Sequence, residues 1–311
     1  MLIPFCVLLT LGACDRTSAA SAGTPFDGEA ARGYVKTQLD FGARVPGTEA
    51  ARKTGDWIVA QMRERADTVI EQRWKHVTAK GDTLPLRNIF ARFRPQASTR
   101  ILYVTHWDSR PVSDQAEDPA QRSLPVPGAN DGASGVGLFI ALGDVLKKFP
   151  PTVGVDLLFV DGEDYGTFGP PDVDVLLGSS YFAANMPAGY QPIFGVLFDM
   201  IGDADLSIPQ ESNSLDRAPE VVSRVWDTAA KLGYQRYFPP RTGYAVTDDH
   251  IPLLDKGLRV IDVIDLDYLG PPGSSKPNYH HTTDDTLDKV SARSLKIMGD
   301  LAYALIRGAQ E

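Results

Sequence analysis

VGVDLLFVDGED (residues 153–164) is a run of apolar residues that ends in acidic ones. A continuous apolar run of this length is typical of a strand whose two faces are both covered, as in parallel sheets. Two adjacent carboxylates, Glu163 and Asp164, follow the predicted strand directly. Because ligands of open α/β sheets collect at the carboxyl ends of the strands, this stretch indicates both a fold class and the position of a site.

Strands and helices alternate along the chain on both sides of this stretch. Further strands are predicted within residues 86–95, 101–109, 193–202 and 258–267, which are rich in apolar residues. Helices are predicted at 29–39, 49–65, 218–233 and 291–308, and between the GANDGASG loop and Pro150. The alternation predicts an α/β fold with a single domain, built on a mostly parallel, mixed and twisted sheet with helices on both faces.

Composition narrows the kind of partner that the chain can bind. The 311 residues are 43% hydrophobic and 23% charged, which is ordinary for a globular domain with a sizeable core. A net charge of -9 predicts no nucleic-acid partner, because no basic surface dominates. Both cysteines, Cys6 and Cys14, lie near the N-terminus. The rest of the chain offers no thiol, so a metal would have to be held by His, Asp and Glu.

The N-terminal segment has the features of an export signal. The apolar run from Leu2 to Leu11 is too short to span a bilayer and has the length of a signal-peptide core. It ends in LGAC, which resembles the bacterial lipoprotein box with Cys14 as the lipid-modified residue; a plain secretory signal is the alternative. We predict a lipoprotein-type signal peptide at 1–13, a flexible tether at 14–26 and a catalytic domain at 27–311. The expected location is the cell envelope or periplasm, with membrane contact only through the lipid.

Histidine and acidic residues stand where the predicted strands pass into loops. THWDS, DGED and FDMIG each follow or end an apolar strand, and GANDGASG, DDHIPLL and HHTTDD lie in other loops. Imidazole nitrogens and carboxylate oxygens together suit a borderline cation such as zinc, and a catalytic zinc site needs about three protein ligands with one position open. The candidate residues in these motifs are His106, Asp131, Glu163, Asp164, Asp199, Asp248 and His281.

Each candidate also has a purely structural interpretation. Asp131 stands before a predicted helix and could cap its N-terminus, and His106 could be a hydrogen-bonded residue at a strand end. Asp199 could stabilise a turn, and His280 and His281 could be an exposed pair in a polar loop. Their common position at strand-to-loop junctions favours one shared site over several separate structural roles.

Several motifs, in this order along the chain, resemble those of one enzyme family. GANDGASGVGLFIALGDVL, FVDGED, LLGSSYFA, FDMIG, DDHIPLL and HHTTDDTLDKV are similar to segments of the zinc aminopeptidases of the bacterial leucyl type and of their relatives, the glutaminyl-peptide cyclotransferases. The resemblance extends from about Gly33 to the C-terminus. It implies the zinc-aminopeptidase-like (phosphorylase/hydrolase-like) fold, with peptide or protein N-termini as substrates.

The resemblance also implies roles for the candidate residues. Asp131, Asp164 and His281 would be the zinc ligands common to both branches of the family. Glu163 would be the general acid/base beside the metal. The family pattern has Glu at the position of Asp164, so the ligand arm of this chain is one methylene shorter.

The two branches differ in the number of zinc ions and in an acidic network. In the two-zinc aminopeptidases, His106 and Asp199 would hold a second ion, and Asp131 would bridge the two. In the cyclotransferases, which use one zinc, residues matching Asp199 and Asp248 form a hydrogen-bonded network with the residue matching Glu163. One zinc is therefore the main expectation for this chain, and two is the alternative.

Two features favour cyclisation over hydrolysis. The long loop Tyr165–Leu176 after the acidic pair resembles the cyclotransferases, as does Asp248, where the aminopeptidases usually carry Ser. Against these, His280 stands in place of a Trp and Asp262 in place of the His of animal cyclotransferases, and the role of His250 stays open. The predicted function is conversion of an N-terminal Gln to pyroglutamate with release of ammonia. The alternatives are a two-zinc aminopeptidase and a non-catalytic binding module of the envelope.

Overall fold

The computed structural model describes residues 24–266 and 278–310. The predicted signal peptide and the part of the predicted tether up to residue 23 lie outside the described residues. Within these ranges the strands are β1 (Thr68–Val77), β2 (Thr83–Phe93), β3 (Arg100–His106), β4 (Gly154–Val160), β5 (Phe194–Asp199) and β6 (Val260–Ile264). The α-helices are α1 (Gly28–Phe41), α2 (Glu49–Arg63), α3 (Ala133–Lys148), α4 (Leu177–Ala184), α5 (Ser212–Arg217), α6 (Pro219–Lys231), α7 (His250–Asp255) and α8 (Ala292–Gly308). None of the described helices has the length and apolar character needed to cross a bilayer.

The described strands form one sheet in the order β1-β2-β4-β3-β5-β6. β3, β4, β5 and β6 are parallel to one another, whereas β2 is antiparallel to β4 and β1 is antiparallel to β2. The expected α/β domain with a mostly parallel, mixed sheet is therefore confirmed. The four parallel strands direct their carboxyl ends to one edge of the sheet, which is where an open α/β fold places its ligands.

The sheet is covered on both faces, which explains the uninterrupted apolar runs of its central strands. All 7 residues of β3 and all 7 of β4 are buried. One face packs against α1, α3 and α8, and the other packs against α4 and α7 through Phe182 and Leu253. Gly137 lets α3 approach α1 closely, because a Cβ at this position would lie 2.6 Å from the carbonyl oxygen of Ala31.

A buried ion pair joins β3 to β4 at the end of the strands that lies away from the site. Arg100 donates from Nε and Nη2 to the two carboxylate oxygens of Asp156, at 2.5 and 2.6 Å. Tyr190 and Arg92 donate to the same carboxylate at 2.8 and 3.1 Å. Because Asp156 is fully buried, its removal would leave the guanidinium of Arg100 in the interior without its main counter-charge.

Replacing Asp156 with Ala is expected to lower the free energy of unfolding by about 3 to 5 kcal/mol, the usual cost of breaking a buried ion pair. Urea denaturation followed by circular dichroism measures this change. Asp40→Ala is the matched control, because Asp40 pairs with Lys36 on the surface, where an ion pair contributes about 1 kcal/mol or less. Equal losses in the two variants would contradict a structural role for the buried pair.

Candidate active site

The ends of β3, β4 and β5 bring the predicted residues to one cavity. His106 is the last residue of β3, and Asp199 is the last residue of β5. Glu163 and Asp164 follow shortly after β4, whose last residue, Val160, lies opposite His106 in the sheet register. A cavity of about 460 Å³ opens at this edge. Of the predicted residues, Asp131, Glu163, Asp199, Asp248 and His281 line it, whereas His106 and Asp164 are not among its lining residues. His280, whose role was open, lines it as well.

His106, Asp131 and Asp199 form a buried triad. His106 Nε2 lies 3.0 Å from Asp131 Oδ1 and 3.0 Å from Asp199 Oδ1. One potential ligand atom of each of the three residues lies within 4.8 Å of the other two. Burial lowers the pKa of His106, but the charge of Asp199 and hydrogen bonds to neighbouring carboxylates raise it well above its ordinary value. The structure therefore brings together the three residues predicted to hold a second metal ion. The positive charge of His106 offsets part of the negative charge of the two carboxylates.

The other oxygen of Asp131 faces a pair of histidines. Asp131 Oδ2 lies 3.7 Å from His281 Nε2. Asp131, His280 and His281 form a second triad whose potential ligand atoms lie within 4.8 Å of one another. Burial and the charge of His280 lower the pKa of His281 to about 3. His281 is therefore a neutral imidazole near pH 7, which is the form that binds metals. His281 is buried and His280 is half-buried, so the two do not form an exposed pair.

Asp131 does not cap the helix that follows it. The N-cap of α3 is Gly132, and no side chain makes a capping hydrogen bond there. The backbone around Asp131 is fixed instead by two residues that the sequence analysis missed. Asp285 accepts hydrogen bonds from the backbone N–H groups of Asn130 and Asp131 at 2.8 and 3.1 Å. Arg44 donates to the carbonyl oxygen of Asp131 at 3.2 Å. These contacts fix the backbone of Asp131, so that one of its carboxylate oxygens lies near His106 and the other near His281.

Asp164 is held by an arginine that the sequence analysis also missed. Arg110 Nη1 donates to Asp164 Oδ1 at 2.6 Å, and both side chains are buried. The same Oδ1 lies 3.4 Å from His281 Nε2, whereas Asp164 Oδ2 is buried without a hydrogen bond to any described residue. Burial and the charge of Asp131 raise the pKa of Asp164 well above its ordinary value. Asp164 therefore lies beside His281 but is not a member of either triad within the described ranges.

Glu163 lies in a cluster of acidic groups. Burial and the charges of Asp164, Asp248 and Asp249 raise its pKa well above the ordinary value of Glu and outweigh the charge of His106. Burial and the charge of Asp199 likewise raise the pKa of Asp248 well above its ordinary value. Burial and the repulsion between like charges therefore disfavour the ionised form of both carboxyl groups. Glu163, Asp199 and Asp248 thus line the same cavity, and the hydrogen-bonded network predicted for them stays a prediction.

Two residues whose roles were open adjoin this network. Asp262 and His250 form a buried group with Asp248 in which the potential ligand atoms lie within 4.8 Å of one another. Burial and the charge of Asp248 raise the pKa of Asp262 well above its ordinary value. His250 Nε2 also lies 3.3 Å from Glu211 Oε2. Of the three, only Asp248 is among the residues that line the described cavity. Asp262 and His250 lie next to Asp248 but outside the cavity lining.

The long loop after the acidic pair folds against the cavity. Thr167 and Val173 pair with each other in antiparallel fashion, which makes the loop a small hairpin. His76 Nε2 lies 2.7 Å from Asp174 Oδ1, and this contact ties the end of the loop to β1. Thr167 and Phe168 line the cavity together with Glu163. The loop Tyr165–Leu176 therefore contributes to the pocket wall, as its length suggested.

Two separations between donor atoms around His281 match the spacing of ligands on a zinc ion. Neighbouring ligand atoms of a tetrahedral zinc ion, with bonds of about 2.0 to 2.2 Å, lie roughly 3.3 to 3.6 Å apart. The separations of 3.7 Å from His281 Nε2 to Asp131 Oδ2 and of 3.4 Å to Asp164 Oδ1 are close to these values. Neutral imidazole and carboxylate are also ligand types that zinc prefers.

A family model described as peptidase family M28 matches residues 88–306, from β2 into α8. The chain belongs to peptidase family M28. The match includes every candidate residue, from His106 to His281. The aminopeptidase-type family expected from the motifs is thereby confirmed, and with it the expectation that this M28 chain is an enzyme.

Relatives of this M28 chain fall in both branches of the family. It is 33% identical to a structure of glutaminyl cyclase from Bacteroides thetaiotaomicron, with a TM-score of 0.86 over 91% of this chain and 98% of that one. It is also 33% identical to a Zn-dependent exopeptidase from Parabacteroides distasonis, with a TM-score of 0.85 over 93% and 100% of the two chains. Aminopeptidase YwaD of Bacillus subtilis is 26% identical over 83% of this chain, which spans only about half (52%) of that protein. The two solved structures are equally similar, so the choice between activities depends on the chemistry of the cavity.

Proposed function

We propose that this M28 chain is a zinc-dependent glutaminyl-peptide cyclotransferase, which converts an N-terminal Gln to pyroglutamate and releases ammonia. The observation that carries the proposal is the position of Asp248, which is buried and lines the same cavity as Glu163. A carboxylate next to Glu163 helps it to hold a proton, which it can then deliver to a departing amine. The similarity to a solved glutaminyl cyclase over nearly the whole of both chains also supports the proposal.

Asp131 and His281 would hold the zinc ion, and the family resemblance implies Asp164 as the third ligand. A bound zinc ion would supply Lewis-acid chemistry by polarising the side-chain amide carbonyl of the substrate Gln. Thr167 and Phe168, on the wall of the same cavity, would contact the substrate and help to position its N-terminal residue.

Glu163 carries the proton during the reaction. Its carboxylate accepts a proton from the α-amine of the substrate while the amine nitrogen bonds to the side-chain carbonyl carbon of the same Gln. The bond between that carbon and the amide nitrogen then breaks, and Glu163 returns the proton to this nitrogen, which leaves as ammonia. One carbon–nitrogen bond forms, one breaks, and Glu163 ends in its starting state. Because the attack is intramolecular, the cavity has to position the Gln more than it has to activate a nucleophile.

A two-zinc aminopeptidase is the second candidate, because His106, Asp131 and Asp199 lie close enough together to hold a further ion. In that reaction Glu163 would accept a proton from water instead of from the substrate amine. The first peptide bond of the substrate would then be hydrolysed, and a free amino acid would be released.

A paired substrate assay tests the proposal. We expect the purified, zinc-loaded protein to release ammonia from a Gln-initiated peptide without shortening it, and to leave a Leu-initiated peptide intact. Ammonia is measured enzymatically, and both peptides are followed by mass spectrometry. Glu163→Gln protein purified in the same way controls for contaminating enzymes, and buffer alone controls for spontaneous cyclisation. Release of free leucine by the wild-type protein and not by the variant would contradict cyclisation and support the aminopeptidase.

A further inference from the structure

We propose that a groove beside the active site binds an acidic segment of the same polypeptide whose N-terminal residue lies in the catalytic cavity. The groove has a volume of about 530 Å³ and lies between the start of α2, the β1–β2 hairpin and the ends of β3 and β4. We call it the cationic groove, and its lining includes Arg52, Arg73, Lys75, Leu86, Trp107 and Asp161. The inference rests on the proposed function, because it describes a second contact of the same substrate.

The cationic groove and the catalytic cavity both adjoin the carboxyl edge of the sheet, although they share no lining residue in the described part of the chain. Trp107 directly follows the last residue of β3, and Asp161 directly follows that of β4. Asp161 is two positions from Glu163, which lines the catalytic cavity, so their Cα atoms are at most about 7.6 Å apart. Because an extended peptide covers about 3.3 to 3.6 Å per residue, a substrate of several residues is long enough to enter both.

Positive charge is in excess along the cationic groove, although the chain as a whole has a net charge of -9. The basic and acidic residues of its lining are Arg52, Arg73, Lys75, Arg87, Glu49 and Asp161. Glu49, Asp56 and Glu71 pair with the three arginines, whereas Lys75 has no ion pair with a described residue. Burial is the main cause that raises the pKa of Asp161 well above its ordinary value, which disfavours its ionised form. The groove therefore favours a ligand with negative charge.

Two cations of β1 are open to such a ligand. Arg73 and Lys75 are both exposed. Arg73 uses Nη2 to bind Glu71, and because a guanidinium has five N–H donors, others remain for a second carboxylate. Residues two positions apart in a strand point to the same face and lie roughly 6.5 to 7 Å apart. An extended peptide with acidic residues at alternate positions repeats this spacing.

The inner part of the groove suits a peptide group and an apolar side chain. Asp161 is only 2% exposed, and its Oδ2 accepts a hydrogen bond of 2.8 Å from the backbone N–H of Arg87. Its Oδ1 is buried and has no hydrogen-bond partner among the described residues. Buried polar atoms are nearly always hydrogen-bonded, and a peptide group of a bound segment can provide the missing partner. Leu86 and Trp107, which also line the groove, provide an apolar surface beside it.

Calorimetric titration with acetylated peptides tests the groove without reference to activity, because an acetylated N-terminus offers no α-amine for the reaction. We expect the zinc-loaded protein to bind acetyl-Leu-Glu-Leu-Glu amide more tightly than acetyl-Leu-Lys-Leu-Lys amide. Lys75→Glu should weaken binding of the acidic peptide by about 5-fold or more, the scale of one exposed ion pair. Lys80→Glu is the matched control, because Lys80 is exposed in the turn of the same hairpin and does not line the groove. Equal binding of the two peptides would overturn the proposal. So would binding of the acidic peptide that Lys75→Glu leaves unchanged, which would place that peptide elsewhere, for example on the zinc ion.

Steady-state kinetics test whether the segment belongs to the substrate. The substrates begin with Gln, continue with a Gly-Ser spacer of about four or about eight residues, and end in Leu-Glu-Leu-Glu or Leu-Lys-Leu-Lys. We expect KM to be about 5-fold lower for the acidic substrate at one spacer length or both, with a similar kcat, because a contact far from the reacting atoms is equally strong in the ground and transition states. Lys75→Glu should remove most of this difference, and Lys80→Glu should keep it.

The two experiments separate this inference from the proposed function. If acidic and basic substrates had the same KM at both spacer lengths, the groove would not contact the substrate, and the inference would be overturned while cyclisation stood. If no Gln-initiated peptide were cyclised, the proposed function would fail. The calorimetric titration would then decide by itself whether the cationic groove binds acidic peptides.

Discussion

Glu163→Gln is expected to lower kcat by about 10²- to 10⁴-fold, the usual contribution of a general acid–base group, while leaving the zinc content unchanged. Glutamine keeps the shape of the side chain but cannot accept and return a proton. Glu163 belongs to neither triad of potential ligand atoms around Asp131 in the described part of the chain, so its replacement should not release the metal. The rate of ammonia release measures the first effect, and plasma mass spectrometry of the same sample measures zinc per chain.

Glu64→Gln is the matched control for this prediction, because Glu64 is exposed at the end of α2. If Glu163→Gln kept the wild-type rate, another group would have to carry the proton, and the neighbouring Asp248 would be the first to examine. If the variant lost zinc together with activity, Glu163 would be a ligand, and the division between metal binding and proton transfer would be wrong.

The parallel strands could be predicted because a strand that is buried on both faces appears in the sequence as a continuous run of mostly apolar residues. Every residue of β3 and β4 is buried, so both strands are read as apolar runs. β1 could not be predicted in the same way, because it alternates between half-buried and exposed positions and contains charged residues throughout. The helices α5 and α7 have 6 residues each, which is too short to show a helical repeat of apolar residues.

The candidate residues themselves could be found because strand ends converge in an open α/β sheet. The residues that hold them could not, since each acts across a long stretch of chain. Arg110 and Asp164 are 54 positions apart, and Asp131 and Asp285 are 154 positions apart. No local pattern predicts which arginine will meet which carboxylate after folding. The position of His280 beside Asp131 likewise depends on how a loop near the C-terminus is placed against the end of the sheet.

Asp131→Asn is expected to abolish stoichiometric zinc binding and to lower kcat/KM by at least about 10³-fold. The carboxylate of Asp131 serves both triads, with Oδ1 3.0 Å from His106 Nε2 and Oδ2 3.7 Å from His281 Nε2. Among the described residues, Asp131 is the one shared by the two triads. Lewis-acid stabilisation by a metal is worth several kcal/mol, and each 1.36 kcal/mol corresponds to a tenfold change in rate. The loss of this one carboxylate should therefore remove the metal in either the one-zinc or the two-zinc case.

Thermal unfolding with and without zinc separates loss of the metal from loss of the fold. A ligand that binds only the folded state stabilises it by about 2.7 kcal/mol when its free concentration is 100 times its Kd. We expect zinc to raise the Tm of the wild-type protein and of Asp284→Asn, a matched control at an exposed position beside Asp285, but not that of Asp131→Asn. If zinc raised the Tm of the Asp131 variant as much as that of the wild-type protein, the ion would be bound by other residues. Because both triads depend on Asp131, the cavity would then not be the metal site.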